Sequence, residues 1–343
     1  MTETNTALER AEGMTGDLMV SMSGGKDSTA TYLHLLETGF LERWVAKGGR
    51  VIRCFSDTGW ELPETYAYLD FLEGKYGKIH RVAAWVPGPS EVKPQGYDFM
   101  ENLWKTPGKT MSGDRHALAL LFEARLGRYS PMIRMILTWA KFPSVVRKWC
   151  TDDTKKRPLQ AFLATLNNPL NPIGVRAEES RKRAAYPAME WSDDWDCYVW
   201  RPIKHFLLAD VIAIHSRHGI TPNPLYLQGS GTGRVGCGPC VNSGKADLMW
   251  LAANHRDRLD LLADLERCLA EDIVSPRALS GAGSPRWFIG KNADREFEAW
   301  PLATAIEWAH TTRGGRQHVL FRGEEEPGCT EWGLCEAPKG GAK

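Results

Sequence analysis

The sequence has no long apolar run and no excess of charge of one sign. A membrane-spanning helix needs roughly 18 or more apolar residues in a row, and the longest candidate, Met132–Ala140, is interrupted by Arg134. Lys and Arg number 43 against 42 Asp and Glu, a net charge of +1. No global field therefore attracts nucleic acid or a membrane surface. These absences argue against a membrane protein and against binding that rests on overall charge.

Other expected signals are also missing. The stretch 1–16 is polar and lacks the apolar segment of a signal peptide, so we expect a flexible N-terminus and a cytoplasmic protein. There is no internal repeat, and the nine histidines show no metal-ligand spacing. In the cytoplasm, the eight cysteines indicate metal or redox chemistry rather than a disulfide framework.

The most informative stretch is 18–29, LMVSMSGGKDST, where an apolar strand runs into a glycine turn and a polar helix start. Gly24 and Gly25 allow a tight turn and a close approach to an anion, and Lys26 adds a positive charge. The helix predicted over 28–37 directs its N–H groups and its positive dipole end at the turn. The pattern predicts a phosphate site; the alternative is an ordinary glycine turn with Asp27 as a helix cap.

This loop is not the mononucleotide P-loop, because Val20 and Asp27 stand where that motif needs Gly and Ser or Thr. It resembles instead the pyrophosphate-binding PP-loop, S-G-G-x-D-S. In that superfamily the loop holds the β,γ-phosphates of ATP, and cleavage between the α- and β-phosphates gives AMP and pyrophosphate. An acid beside phosphates also suggests Mg²⁺, which takes oxygen ligands. The matching residues are Ser23, Gly24, Gly25, Lys26, Asp27 and Ser28.

Strand and helix patterns alternate after this loop. Strands are predicted over 50–56, 78–85 and 171–176, and helices over 61–76 and 207–218. This order predicts an α/β fold, a parallel sheet with helices on both faces, whose ligands bind at the carboxyl ends of the strands. A long loop is expected over 87–113, and a helical hairpin or one long helix over 246–272. We expect the α/β domain to span 17–228 and a helical, cysteine-bearing extension to span 229–343.

Four further motifs extend the resemblance. They read DTGWELPET at 57–65, GVRAEES at 174–180, WRPIK at 200–204 and PNPLY at 222–226. Together with the loop, they resemble the phosphoadenosine phosphosulfate (PAPS) reductase family of the PP-loop superfamily, from residue 18 to about residue 240. The resemblance implies the adenine nucleotide alpha hydrolase-like fold. It also implies a nucleotide site that adds Asp57, Thr58 and Arg176 to the loop.

The residues of these motifs also have ordinary interpretations. The planar guanidinium of Arg176 matches a phosphate or sulfate, although an ion pair with Glu178 or Glu179 is the alternative. Asp57 could bind Mg²⁺ or an adenosine hydroxyl, or simply cap the next helix. The resemblance gives catalytic roles to Lys26, Asp27 and Arg176.

The loop is complete here, as in ATP-cleaving members such as the sulfur-inserting enzyme of DNA phosphorothioation, whereas sulfonucleotide reductases usually carry an eroded loop. We therefore predict an enzyme that cleaves ATP to AMP and pyrophosphate and adenylates an acceptor, with sulfur transfer as a further step. By analogy alone, the acceptor is a nucleobase or nucleic acid. The alternatives are a PAPS or APS reductase that produces sulfite, and a non-catalytic nucleotide-binding protein. The sequence does not indicate an oligomeric state.

Cys237-Gly-Pro-Cys240 is a C-x-x-C turn that suits two thiolates on one metal. A [4Fe–4S] cluster, a zinc ion and a redox dithiol all remain open from the residues. The family resemblance adds Cys150 and favours the cluster, although Trp149 replaces the first cysteine of the family's pair. The fourth ligand is then Cys335, with Cys329 as the alternative.

The C-terminal sequence EWGLC at 331–335 resembles the reductases' E-C-G-L-H, but Trp332 replaces their nucleophilic cysteine. This replacement argues against thiol-based reduction unless Cys335 or Cys329 substitutes. The three cysteines without a partner pattern are interpreted as structural: Cys54, Cys197 and Cys268.

Overall fold

The computed structural model describes residues 3–101, 103, 111–228, 235–270, 286–291 and 296–311. Its centre is a seven-stranded sheet. The strands are β1 (Asp17–Ser21), β2 (Arg50–Ser56), β3 (Ile79–Ala84), β4 (Asp98–Met100), β5 (Leu170–Pro172), β6 (Met189–Ser192) and β7 (Cys197–Trp200). They lie in the order β4-β3-β2-β1-β5-β7-β6, and every neighbouring pair is parallel except β6 and β7.

Helices connect these strands, and a small hairpin follows them. The helices are α1 (Glu3–Glu12), α2 (Lys26–Glu37), α3 (Phe40–Ala46), α4 (Pro63–Tyr76), α5 (Gly113–Leu126), α6 (Pro131–Trp139), α7 (Trp149–Thr151), α8 (Arg157–Leu163), α9 (Arg181–Ala184), α10 (Leu208–Arg217), α11 (Lys245–Asn254), α12 (Arg256–Cys268) and α13 (Leu302–Ala309). A π-turn, Asp152–Lys156, joins α7 to α8. The antiparallel hairpin consists of β8 (Phe288–Lys291) and β9 (Phe297–Trp300).

Helices cover both faces of the sheet, as predicted. Leu18 and Val20 of β1 lie in one apolar cluster with residues of α2, α3 and α10. Met19, between them, lies in another cluster with Phe162 and Leu163 of α8. Successive side chains of a strand point to opposite faces, so this division places one helical layer on each side.

The predicted alternation of strands and helices is confirmed, but short strands were missed. The segment 87–113, predicted to be a loop, contains the edge strand β4, which pairs with β3. The hairpin of β6 and β7 was also missed, and Cys197, interpreted as structural, is buried in β7. These strands have three or four residues each, too few for a period of two to stand out. The long helical pattern of 246–272 is two helices, α11 and α12.

Residues 3–12, which belong to the N-terminal segment predicted to be flexible, form the helix α1. Ala7 and Ala11 of this helix are buried in the cluster that covers β1. Glu3 accepts hydrogen bonds from the Lys204 ammonium (2.8 Å) and the Ala188 N–H (2.6 Å). Two small apolar residues four apart and one acid therefore anchor a helix whose composition is otherwise polar.

The C-terminal elements share a hydrophobic core with the sheet domain. Residues of α12 and α13 lie in one cluster with Trp60, Phe122 and Ile136. The predicted boundary between 228 and 229 therefore does not separate two cores. Within the described ranges, no helix is long and apolar enough to cross a membrane.

Arg134, the charge that interrupts the longest apolar run, is 1% exposed and fully paired. Its guanidinium donates to both carboxylate oxygens of Glu123 (2.7 and 2.8 Å), to Glu91 Oε1 (2.7 Å) and to the Val86 carbonyl (2.9 Å). It also lies 4.4 Å from the centre of the Tyr129 ring. Burial would raise the pKa of Glu91, but hydrogen bonds from Arg134 and the Gly88 N–H lower it to about 2. The cluster fastens α5 and α6 to the segment after β3.

We expect Arg134→Ala to lower the free energy of unfolding by about 3–5 kcal/mol, because it leaves buried carboxylates without a counter-charge. The matched control is Arg125→Ala, which removes an exposed ion pair with Asp264 and should cost about 1 kcal/mol or less. Urea denaturation of both variants measures the difference, and equal losses would contradict a structural role for the buried cluster.

Candidate functional site

The glycine turn after β1 has the geometry that the sequence predicts. Gly24 has a φ of +73°, in the left-handed region that glycine favours. Helix α2 then begins at Lys26, and Gly25 at its N-cap provides no side-chain hydrogen bond. Among the described residues, the N–H groups of Asp27 and Ser28 have no acceptor. These N–H groups and the helix dipole are the features with which helix N-termini bind anions.

Hydroxyl groups stabilise the turn from inside. The Ser23 and Ser28 hydroxyls are 2.9 Å apart, and Ser28 Oγ also accepts from the Ser23 N–H (3.2 Å). Ser28 and Thr29 both donate to the Gly25 carbonyl, at 3.0 and 3.1 Å. The loop backbone is therefore held in one shape without a ligand.

Two later motifs pack against the loop. Asn223 donates to the Gly24 carbonyl (3.2 Å), and the Tyr226 hydroxyl accepts from the Lys26 N–H (3.2 Å). Gly174 lies so close that a Cβ on it would be 2.7 Å from the Asp27 carbonyl oxygen. Only glycine permits this approach, so the motifs at 174–180 and 222–226 serve to position the loop.

Arg176 lies beside the loop as predicted, and it is buried in ion pairs. Its Nε donates to Asp27 Oδ1 at 2.6 Å, and its Nη1 donates to Glu178. Lys26 Nζ lies 3.6 Å from Asp27 Oδ2 and 4.9 Å from the centre of the Tyr226 ring. Both the predicted pairing with Glu178 and a position next to the loop are thus present. A Mg²⁺ on Asp27 would have to replace one of its two cationic neighbours.

Asp57 and Thr58 form a second group, centred on Glu61. Asp57 Oδ1 accepts from the Gly59 N–H and the Tyr66 hydroxyl, both at 2.8 Å. Glu61 Oε2 accepts from Thr58 Oγ1 (2.7 Å) and from the same Tyr66 hydroxyl (3.1 Å). Asp57 Oδ2 is buried and has no hydrogen-bond partner among the described residues, so it could accept from a ligand.

The two carboxyl groups of this second group differ in pKa. Burial, together with the charge of Glu61, raises the pKa of Asp57 to about 6. Burial acts on Glu61 as well, but Lys155 and the Thr58 hydrogen bond outweigh it and lower the pKa of Glu61. As pH rises, Glu61 therefore loses its proton before Asp57 does.

The C-x-x-C turn docks onto this group. Glu61 and Cys237 form an antiparallel bridge, and the Gly238 N–H donates to the Trp60 carbonyl (3.1 Å). Cys237 Sγ lies 3.7 Å from Glu61 Oε1, and Lys155 Nζ lies 3.4 Å from the same oxygen. The turn therefore belongs to the same site as the strand-end acids.

Three of the predicted metal ligands lie in this region. Cys237, Cys240 and Lys155 line a cavity of about 190 Å³. Burial raises the pKa of the Cys237 thiol to about 12 and also raises that of Cys150, and the charges of the three cysteines influence one another. Among the described residues, no three His, Cys, Asp or Glu side chains are grouped closely enough to hold one metal ion. Cys329 and Cys335 lie outside the described residues.

The predicted site residues thus fall into two groups that meet at the first turn of α4. Thr65 contacts the loop, since a Cβ on Gly24 would be 3.2 Å from its Cγ2, and Tyr66 holds Asp57 and Glu61. The sequence reasoning did not single out Glu61, Tyr66, Asn223 or Tyr226. Glu61, Asn223 and Tyr226 lie inside recognised motifs and Tyr66 directly follows one, so the motifs were the available signal.

A known protein family matches more than half of the chain. The family description "Phosphoadenosine phosphosulfate reductase domain" matches residues 17–117 and 128–243. The chain belongs to the phosphoadenosine phosphosulfate reductase family. This family is part of the PP-loop superfamily of nucleotide-using enzymes, as the motifs indicate.

Individual relatives of this PAPS reductase family member are distant. An uncharacterised 37.8 kDa protein in the gpa 5' region of Escherichia phage 186 is 31% identical over 326 residues, which is 88% of this chain and 91% of that protein. Adenosine 5'-phosphosulfate reductase of Allochromatium vinosum is 29% identical over 130 residues, 36% of this chain and 49% of that protein. The crystal structure of PAPS reductase from Candida auris aligns with a TM-score of 0.41 at 16% identity, covering 70% of this chain and 90% of that one.

The buried acids predict opposite dependences of stability on pH. Asp57 holds its proton to a higher pH than the ordinary 3.8, so it lowers the free energy of unfolding as pH rises from about 4 to about 6. Asp57→Asn cannot ionise, and its stability relative to the wild type should rise across this window, by about 3 kcal/mol at most.

Glu61→Gln is the matched comparison. Because the pKa of Glu61 is lowered from 4.5, its stabilisation is present above that pH and is lost as pH falls. The stability of this variant relative to the wild type should therefore fall as pH rises. Urea denaturation between pH 3.5 and 8 measures both slopes, and slopes of the same sign would contradict the charge assignment.

Proposed function

We propose that this PAPS reductase family member binds ATP at the loop 23–28 and cleaves it to AMP and pyrophosphate, adenylating an acceptor. The observation that carries the proposal is the complete loop: a left-handed Gly24 followed by unpaired N–H groups at Asp27 and Ser28, with Lys26 beside them. Such a site suits a pyrophosphate, which an APS or PAPS substrate lacks at this position.

Each polar residue of the loop has a role in this reaction. The N–H groups of Asp27 and Ser28 bind phosphate oxygens, and Lys26 stabilises the negative charge that develops on the departing pyrophosphate. Arg176 donates to Asp27. When nucleotide binds, some of its guanidinium N–H groups would donate to a phosphate instead. Asp27 is then available to a Mg²⁺ that arrives with the phosphates.

The acceptor proposed here is a nucleobase or nucleic acid, with sulfur transfer after adenylation. A specific observation favours a second candidate, reduction of a sulfonucleotide to sulfite: the partial similarity to the Allochromatium vinosum adenosine 5'-phosphosulfate reductase. That reaction needs a nucleophilic thiol, and Trp332 occupies the position expected for it. Cys329 and Cys335 are the remaining cysteines of that segment.

The first test follows α-labelled ATP with anaerobically purified protein, with and without single-stranded nucleic acid. Labelled AMP together with released pyrophosphate is expected, and Lys26→Ala should slow its formation roughly 100-fold or more, because a preorganised cation is lost from the transition state. The matched control is Lys78→Ala, since Lys78 is exposed and precedes β3 at the opposite edge of the sheet; it should retain full activity.

Sulfite formation from PAPS or APS with a thiol reductant, abolished in Cys335→Ser or Cys329→Ser, would instead establish the reductase. Intact ATP under every acceptor condition, with no sulfite, would contradict both reactions and leave a non-catalytic nucleotide-binding protein.

We also propose that Cys150, Cys237 and Cys240 hold a [4Fe–4S] cluster, with Cys335 or Cys329 as the fourth ligand and zinc as the alternative. The donor type fits, because thiolates are the ligands of both groups, although the described cysteines would have to move closer together to share one metal centre. Cys237 and Cys240 share a cavity, and metal binding would compensate the burial that raises the pKa of Cys237. A bound cluster would supply sulfur or electron chemistry, and the chain's own residues supply the buried pocket and Lys155.

Metal analysis of anaerobically purified protein tests this assignment. Iron and acid-labile sulfide are expected in the wild type, and Cys237→Ser and Cys150→Ser should lose them. Cys54→Ser is the control, because Cys54 is buried in β2 away from the turn. Zinc without iron would establish the alternative, and protein free of both metals would contradict a metal centre.

A further inference from the structure

A second, larger cavity lies on the other side of the C-x-x-C turn. It has a volume of about 730 Å³, within the range of small-molecule sites. Its walls come from the turn after Cys240, from the hairpin of β8 and β9, and from α13. The aromatic lining consists of Phe288, Phe297, Trp300 and Trp308.

The aromatic rings of this cavity come from the hairpin and from α13. Trp300 and Trp308 stand edge to face, with centres 5.9 Å apart. Trp300 packs directly on the backbone of Gly290, where a Cβ would be 1.9 Å from the ring. Phe297 is 68% exposed at the mouth. Phe288 belongs to the hydrophobic core, and Trp300 and Trp308 are half-buried against that core, so Phe297 is the ring of this group that is most open to a ligand.

Three cations lie next to residues that line the same cavity, while the exposed acids Glu296 and Glu298 flank Phe297 on the hairpin. Lys245 Nζ lies 4.8 Å from the centre of the Trp308 ring. The turn 144–147, closed by hydrogen bonds between Ser144 and Arg147 (3.0 and 3.1 Å), places Val145 in the wall. Arg147 and Lys148 follow it, both exposed, and neither forms an ion pair with a described residue. An apolar, aromatic cavity therefore has a basic rim.

We propose that this cavity binds a base of single-stranded nucleic acid, stacked on Phe297 and Trp308, while Arg147 and Lys148 contact the phosphates. Aromatic faces combined with cations are how proteins bind single strands, because every base has a π-face and every linkage a phosphate. A protein with a net charge of +1 has no general attraction for nucleic acid, so the local pairing of rings and cations carries the inference.

The position of the cavity connects it to the cysteine group. Asn242 and Ser243 line both this cavity and the cavity of Cys237 and Cys240. Asn242 also donates to Cys240 Sγ from its N–H (3.5 Å) and from its amide (3.8 Å). Only Asn242 and Ser243 would separate a base bound here from the cavity of the thiols. The role of this base as the acceptor rests on the proposed function. Its binding in the cavity does not depend on that function.

The test uses the full chain and a short single-stranded oligonucleotide that contains 2-aminopurine, whose fluorescence is quenched when it stacks. Binding with quenching is expected. Phe297→Ala should weaken binding about 5- to 150-fold, the range that follows from the loss of one base–aromatic stack. Phe71→Ala is the matched control, because Phe71 is an exposed phenylalanine of α4 outside the cavity, and it should bind as the wild type does.

Salt dependence tests the basic rim. The double variant Arg147→Ala/Lys148→Ala should reduce the slope of log affinity against log salt by about 1.4, corresponding to two phosphate contacts on a single strand. An unchanged slope, or a free nucleoside that binds as tightly as the oligonucleotide, would overturn the phosphate contacts and hence the strand.

Failure of this inference and failure of the proposed reaction are distinguishable. Binding and quenching that depend on Phe297, with ATP left intact, would support the cavity and contradict adenylation. AMP formation with no binding, or with binding and quenching that are identical in Phe297→Ala and Trp308→Ala, would overturn the cavity and leave the ATP reaction standing.

Discussion

The contact between the backbone of Gly174 and the start of α2 is the constraint on which the site depends. No side chain could stand at Gly174, because its Cβ would be 2.7–2.8 Å from backbone atoms of Asp27 and Ser28. The segment after β5 therefore runs directly past the loop, and Arg176, two residues on, reaches Asp27 at 2.6 Å. Adjacent parallel strands β1 and β5 bring these two turns to the same edge of the sheet. Without this approach, the loop would keep its glycine turn, but Arg176 would not reach Asp27.

A second constraint is electrostatic and concerns the buried acids Asp57 and Glu61. Two carboxyl groups share the Tyr66 hydroxyl, and two buried acids this close do not both ionise easily. Lys155 favours ionisation of Glu61, because it stands 3.4 Å from that carboxylate, and Asp57 is the group that holds its proton to the higher pH. Lys155 is part of the π-turn Asp152–Lys156, and Ser56 at the end of β2 donates to the carbonyls of Thr154 and Lys155. The irregular turn thus places the ammonium of Lys155 beside Glu61, next to the cysteines.

The sequence predicted the parts of the molecule whose signals are local. The loop, β2 and α4 carry their own periodicity and motifs, so β2 was bounded at 50–56 as observed and α4 begins two residues after the predicted start. What could not be predicted depends on contacts between distant residues. The pairing of Glu61 with Cys237 joins segments 176 residues apart, and no spacing rule reports it. Residues 3–12 read as a polar tail because only Ala7 and Ala11 are buried, and their burial needs β1 and its helices to be present.

The match to the family ends at residue 243, and most of the wall of the second cavity lies beyond it, in β8, β9 and α13. The turn Cys237–Ser243 is therefore a wall between two environments: thiols and Lys155 on one side, aromatic rings on the other. A reaction that joins a nucleotide-activated group to a second substrate needs the two reactants in contact with each other. The wall is thin, since Asn242 donates to Cys240 while it lines the aromatic cavity.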